Sequence, residues 1–274
     1  MTASIRMSDL VLPVVSEPGR AEVRGVFAHG LDVVREDGVL VYLGGYDRAL
    51  SCVGVQLSED VLAALLACVR QGDAAELGCA RIRFTREGGQ TAELDLSGAD
   101  VVALRLTAPL VPDALADVSS RIAACQLEKS VGLSWDERLR EALAGLTYGD
   151  AERMEESVLW LYGRGLGLTP SGDDILCGFG CGLAVAGRSA RREELLRAIE
   201  RVARVRNTTY VSEAYLAAMA AGRVNESFFT LVRDARFATV TSGHIAACRE
   251  LGGTSGDDML LGFGLALGVE YPGI

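Results

Sequence analysis

Two short phrases carry most of the chemistry this sequence could perform. Ser171-Gly172-Asp173-Asp174 and Ser255-Gly256-Asp257-Asp258 each place a hydroxyl, a glycine and two adjacent carboxylates directly before an apolar run. The likeness continues without a gap, Ile175-Leu176-Cys177-Gly178-Phe179-Gly180 against Met259-Leu260-Leu261-Gly262-Phe263-Gly264, so the chain holds two similar loop-to-helix units. Part of each phrase has a structural reading: Ser171 and Ser255 can N-cap the helices, and Asp174 and Asp258, three residues on, resemble capping-box partners at a positive helix end. Capping does not call for glycine at 172 and 256, nor for the second carboxylates, Asp173 and Asp257. Backbone N–H groups at helix starts suit an anion, and carboxylates accept hydrogen bonds from amide or ureido NH2 groups. A small ligand carrying both an anion and an amide would use both features.

The glycines inside the runs, Gly178 with Gly182 and Gly264 with Gly268, lie one helical turn apart and allow close backbone approach. If the two helices cross, both starts meet, and Asp173 and Asp257 are expected to face one cleft. A second polar cluster, Asn207, Thr208, Thr209 and Ser212, can cap the helix that follows it and form the far wall of that pocket. The candidate catalytic residues are therefore Asp173, Asp174, Asp257 and Asp258, as orienters of NH2 groups or with one as general base. Thr169, Ser171, Gly172, Thr254, Ser255 and Gly256 join the Asn207 cluster as candidate substrate-binding residues. The paired aspartates can alternatively hold Mg²⁺ beside a phosphate; no cofactor is otherwise indicated. His29 and His244 lack a histidine or carboxylate partner at the fourth residue on, and no nucleophile elbow, phosphate loop, zincin or nicotinamide fingerprint is present. Gly163-Arg164-Gly165-Leu166-Gly167 mimics a dinucleotide loop but follows a helical pattern rather than a strand. The seven cysteines are scattered, and Cys177 and Cys181, on one helix face, read as core.

These residues need elements to position them. From Ala21 to about Pro109 the chain alternates in short β-branched runs divided by turn signals, interrupted by one helix from Ser58 to a stop at Gly72. After Pro112 the period becomes helical, with segments near Asp113–Leu127, Trp135–Leu146, Asp150–Tyr162, Asp173–Ala186, Arg191–Val205, Thr208–Ala221, Glu226–Ala235, Ser242–Leu251 and Asp257–Val269. The stretch around Ser130 reads as a loop. The expected fold class is α+β: a small β-rich domain over 1–111, then an all-helical domain over 112–274 carrying the duplicated unit.

Among 274 residues, 27 basic against 37 acidic side chains give a formal charge of −10, which argues against nucleic-acid binding. The longest apolar runs are too short to span a bilayer, and the N-terminus does not read as a secretory signal. A cytoplasmic chain with no membrane partner is expected.

Gly167–Asp174 (GLTPSGDD), Asn207–Ser212 (NTTYVS) and Gly252–Asp258 (GGTSGDD) resemble, in this order, a bacterial family of formerly unknown function. That family includes the small subunit of oxamate carbamoyltransferase in anaerobic allantoin breakdown. The resemblance covers about the last 120 residues; the β-rich half matches only in general style. It implies participation in the phosphorolysis of oxalurate to oxamate and carbamoyl phosphate, together with two larger carbamoyltransferase subunits. The small anionic carbamoyl or amide substrate it implies agrees with the ligand class inferred from the residues. Leu166 departs from the pattern, where proline is expected. The competing reading is a noncatalytic structural or regulatory subunit, whose repeats serve only its own helical core.

Overall fold

The computed structural model describes residues 5–86 and 88–274. The chain divides into two compact units, Met1–Leu104 and Arg105–Ile274. Residues 105–111 belong with the helical unit because the main-chain N–H groups of Leu106 and Leu110 donate to the carbonyls of Gly222 and Val185.

In the first unit, β1 (Arg6–Ser8), β2 (Gly19–Phe27), β3 (Gly30–Arg35), β4 (Leu40–Gly45), β5 (Gly54–Leu57), β6 (Ala74–Gly78), β7 (Arg81–Thr85), β8 (Thr91–Asp95) and β9 (Asp100–Val102) form one sheet. Its order is β8-β7-β6-β2-β3-β4-β5-β1-β9. The β4–β5 and β1–β9 pairs are parallel and the rest antiparallel. Alternating burial along β2, β6 and β7 leaves one face for the core. Val23, Leu31, Val33, Leu43, Ile82 and Phe84 fill that core.

Two helices, α1 (Val11–Ser16) and α2 (Glu59–Cys68), pack on the sheet. Ser58 occupies the N-cap position of α2, but the helix ends at Cys68, short of the expected stop at Gly72, because Val69 turns extended. Gly72 is instead a turn residue with φ of 91°.

The second unit is helical: α3 (Pro112–Ala123), a 3₁₀ turn (Leu127–Lys129), α4 (Glu137–Tyr148), α5 (Ala151–Leu161), α6 (Ser171–Val185), α7 (Ser189–Ala203), α8 (Tyr210–Ala220), α9 (Glu226–Ala235), α10 (Ser242–Arg249) and α11 (Ser255–Leu267). The α+β class with a duplicated loop-helix unit is therefore the observed one. Helices α6 and α11 are apolar on all sides and buried along almost their whole length, as expected of helices at the centre of a bundle. Around them pack α3, α4, α5, α7, α8, α10 and the 3₁₀ turn. Cys177 and Cys181 are buried core residues, and burial pushes the Cys181 thiol up to about 12. Among the described residues, no helix is long and apolar enough to cross a membrane.

Candidate functional site

The repeated phrases meet because glycine lets two backbones touch. A Cβ at Gly178 would lie 1.9 Å from the Met259 carbonyl oxygen, and one at Gly262 would lie 2.0 Å from that of Ile175. Gly178 and Gly262 occupy the same place in the two copies, as do Ile175 and Met259, so α6 and α11 cross in a near-two-fold manner. Gly182 adds to the crossing beside Phe263 and Ala266. Gly264 and Gly268, expected to serve α11, do not: Gly264 faces Tyr271 and Ile122, and Gly268 ends the helix with φ of 88°. The crossing ridge on α11 starts two residues earlier, at Gly262.

The same pairing explains Gly172 and Gly256. A Cβ at Gly172 would come within 2.0 Å of the Leu161 carbonyl, and one at Gly256 within 2.3 Å of that of Cys248. In each copy the preceding helix, α5 or α10, ends against the start of the next. The close approach of the two backbones accounts for glycine at these positions.

The four aspartates separate into two pairs with different surroundings. Asp173 accepts hydrogen bonds from the Gly163 N–H at 2.8 Å and the Thr208 hydroxyl at 2.5 Å. Asp257 takes a two-point contact from Arg249, at 2.6 and 2.9 Å. Each thus fastens its own turn to a neighbouring segment, and the expected cleft between Asp173 and Asp257 is replaced by another pairing. The next residues, Asp174 and Asp258, lie about 100° further round their helices and face the opposite copy. Asp258 has the hydroxyls of Thr254 and Ser171 near it, and Asp174 those of Ser255 and Thr169. The Thr169 and Ser255 hydroxyls join the two copies directly at 2.8 Å.

Asp258 is fully buried and Asp174 is 5% exposed. The Gly132 N–H donates to Asp258 Oδ1 at 2.9 Å, but Oδ2 of Asp258 and Oδ2 of Asp174 have no hydrogen-bond partner. Burial, and then the neighbouring carboxylates, hold both groups above the ordinary carboxylate range, Asp174 well above it, with the nearby hydroxyls opposing. Burial also raises Asp173, opposed by Thr208, Gly163 and Ser212.

Ser171 and Ser255 are the first residues of their helices rather than caps; Pro170 and Thr254 hold the N-cap positions without a side-chain cap bond. Both serine hydroxyls are turned to the carboxylate of the other copy. Nor are the helix starts free anion cradles. The N–H of Gly172 donates to Arg164 O, those of Asp173 and Asp174 to Pro170 O, that of Gly256 to Leu251 O, and that of Asp258 to Thr254 O.

The Asn207 cluster braces the first turn instead of facing it across a pocket. Besides the Thr208 bond to Asp173, the Thr209 hydroxyl donates to the Leu168 carbonyl and accepts from the Ser212 N–H at 3.0 Å, capping α8. Asn207 is exposed, and its carbonyl lies against Gly163. Thr208→Val should therefore cost about 1 kcal/mol and loosen residues 163–170. Limited proteolysis should cut the variant faster in that loop, where Leu166 is already 93% exposed.

Two contributors escape sequence reasoning, Gly132 and Arg249. Gly132 sits in the stretch read only as a loop, 126 residues from its partner Asp258. Arg249, at the end of α10, could have been found as the one basic side chain in the turn before the second phrase. Because this ion pair is partly exposed, Arg249→Ala should cost no more than about 1 kcal/mol. Urea denaturation should show that loss shrinking as salt is added.

Residues 161–267 match the family model described as oxamate carbamoyltransferase subunit AllH. Over this stretch the chain is similar to that family. The AllH match begins at the last residue of α5 and ends with α11, enclosing both turns and the Thr208–Ser212 brace between them. No curated protein and no solved structure matches the chain.

Proposed function

We propose that this chain is the small subunit of an oxamate carbamoyltransferase, acting with two larger subunits on oxalurate and phosphate to give oxamate and carbamoyl phosphate, in nitrogen catabolism from allantoin. The observation that carries this reading is the position of the AllH match, which falls on the part of the chain that builds the paired turns. In this reading Asp174 and Asp258 are the ligand-facing carboxylates. Thr169, Thr254 and Ser255, half-buried or exposed beside them, pair with the polar edges of the small carbamoyl compound. Asp173, Asp257, Thr208, Thr209 and Ser212 position the turns.

A carbamoyl transfer must bind two substrates and exclude water from a labile group, and this unit gathers one concentrated polar site. The isolated chain is therefore expected to show no turnover. With both larger subunits, oxamate and carbamoyl phosphate should yield oxalurate and phosphate. Turnover by the highly purified single chain would overturn the subunit reading.

A further inference from the structure

We propose that Asp174 and Asp258 together hold one hard divalent cation, of the Mg²⁺ class, between the two helix starts. Its remaining coordination positions open toward the rim of Thr169, Thr254 and Ser255. Two carboxylates brought together in a buried site need a proton or a positive partner, and each has an oxygen without a hydrogen-bond partner. Of the arginines at these turns, Arg249 is taken by Asp257 and Arg164 by the Trp160 carbonyl and ring. The N–H groups that would favour an anion here are largely used within the turns.

The surrounding donors are all oxygen: two carboxylates and the hydroxyls of Ser171, Thr254, Ser255 and Thr169. Such a set selects a hard ion over the metals that prefer imidazole or thiolate. Among the described residues no three His, Cys, Asp or Glu side chains converge to form a complete cage. Two carboxylates with open positions suit Mg²⁺, which keeps waters and gives some of them up to a ligand. Resting on the reading under Proposed function, the ligand would be oxamate or oxalurate. In both, carboxylate and carbonyl oxygens on adjacent carbons can close a chelate ring on the ion. A cation would also let the two facing carboxylates, Asp174 and Asp258, sit beside an anionic substrate.

The test uses the full chain stripped with EDTA, titrated with Mn²⁺ by electron paramagnetic resonance and with Mg²⁺ by calorimetry. One ion per chain is expected, with affinity falling about tenfold or more in Asp174→Asn and Asp258→Asn. Glu155→Gln, in the acidic surface groove of α5 and α7, should leave affinity unchanged. No binding, or binding weakened by the Glu155 change and not by the Asp174 change, would overturn the proposal. Adding oxamate should tighten the ion. Ion binding that oxamate leaves unchanged would support the cation site while overturning oxamate as its ligand. Oxamate bound through Asp174 equally well without any cation would overturn the cation.

Discussion

In metal-free buffer at neutral pH, Asp174→Asn should melt at a higher temperature than the parent chain and should leave the assembled complex without activity. The two effects have one cause. Asp174 is buried, its Oδ2 has no partner, and Asp258 faces it from the other copy. Asparagine keeps the shape, removes one of two repelling charges and can donate its NH2 toward Asp258. Replacing a poorly compensated buried charge is worth about 1–2 kcal/mol, or a few degrees in a chain of this size. The pH dependence follows the same sign. Folding raises both carboxylates above their unfolded values. The stability this contributes is fully present below the unfolded value and is lost as pH rises through the folded one. The parent's melting temperature should therefore climb as pH falls from neutral toward the ordinary carboxylate range, and the variant should climb less. A melting temperature lowered by the substitution would show that the carboxylate is there for the fold.

Where the sequence could be read, it was read through pattern. The period change after Pro112 locates nine α-helices to within a few residues, because each has an apolar stripe or an apolar core to reveal it. The meeting of the two SGDD turns follows from repetition and small residues. Which aspartate faces which neighbour does not follow, because adjacent helical residues point about 100° apart. The pairing expected of Asp173 and Asp257 is made instead by Asp174 and Asp258. Gly262 rather than Gly264 touches α6 for a similar reason: in Gly262-Phe263-Gly264 the face is settled only by the partner helix. In the β-rich unit, β1 and β6 are short and pair with segments far away in sequence. The run at 101–109 contributes only its first two residues to β9, since from Arg105 the chain turns to the helical unit. Gly132 was illegible because what it supplies is a backbone N–H, which every residue but proline carries.

Gly178→Ala should be among the costliest single methyls added to a glycine of α6 or α11, with its counterpart at Gly262 and with Gly172. The added carbon would sit 1.9 Å from the Met259 carbonyl oxygen, inside the contact that sets the helix crossing. Neither backbone can yield alone, because Met259 and Gly178 are both buried in the centre of the bundle. A loss of about 4 kcal/mol or more is expected, enough to unfold the helical unit of a marginally stable chain. Two other glycines separate this cause from glycine's general properties. At Gly180 the added methyl meets the Met219 side chain, which can change rotamer, so Gly180→Ala should cost about 1–3 kcal/mol. At Gly268 there is open space but φ is 88°, so Gly268→Ala should cost about 1 kcal/mol through backbone strain alone. Chemical denaturation of the three variants should rank them Gly178, Gly180, Gly268 in decreasing loss. A Gly178→Ala chain as stable as the Gly268 variant would mean that the helices do not cross in backbone contact. The closeness of Asp174 to Asp258, which depends on that crossing, would then fail with it.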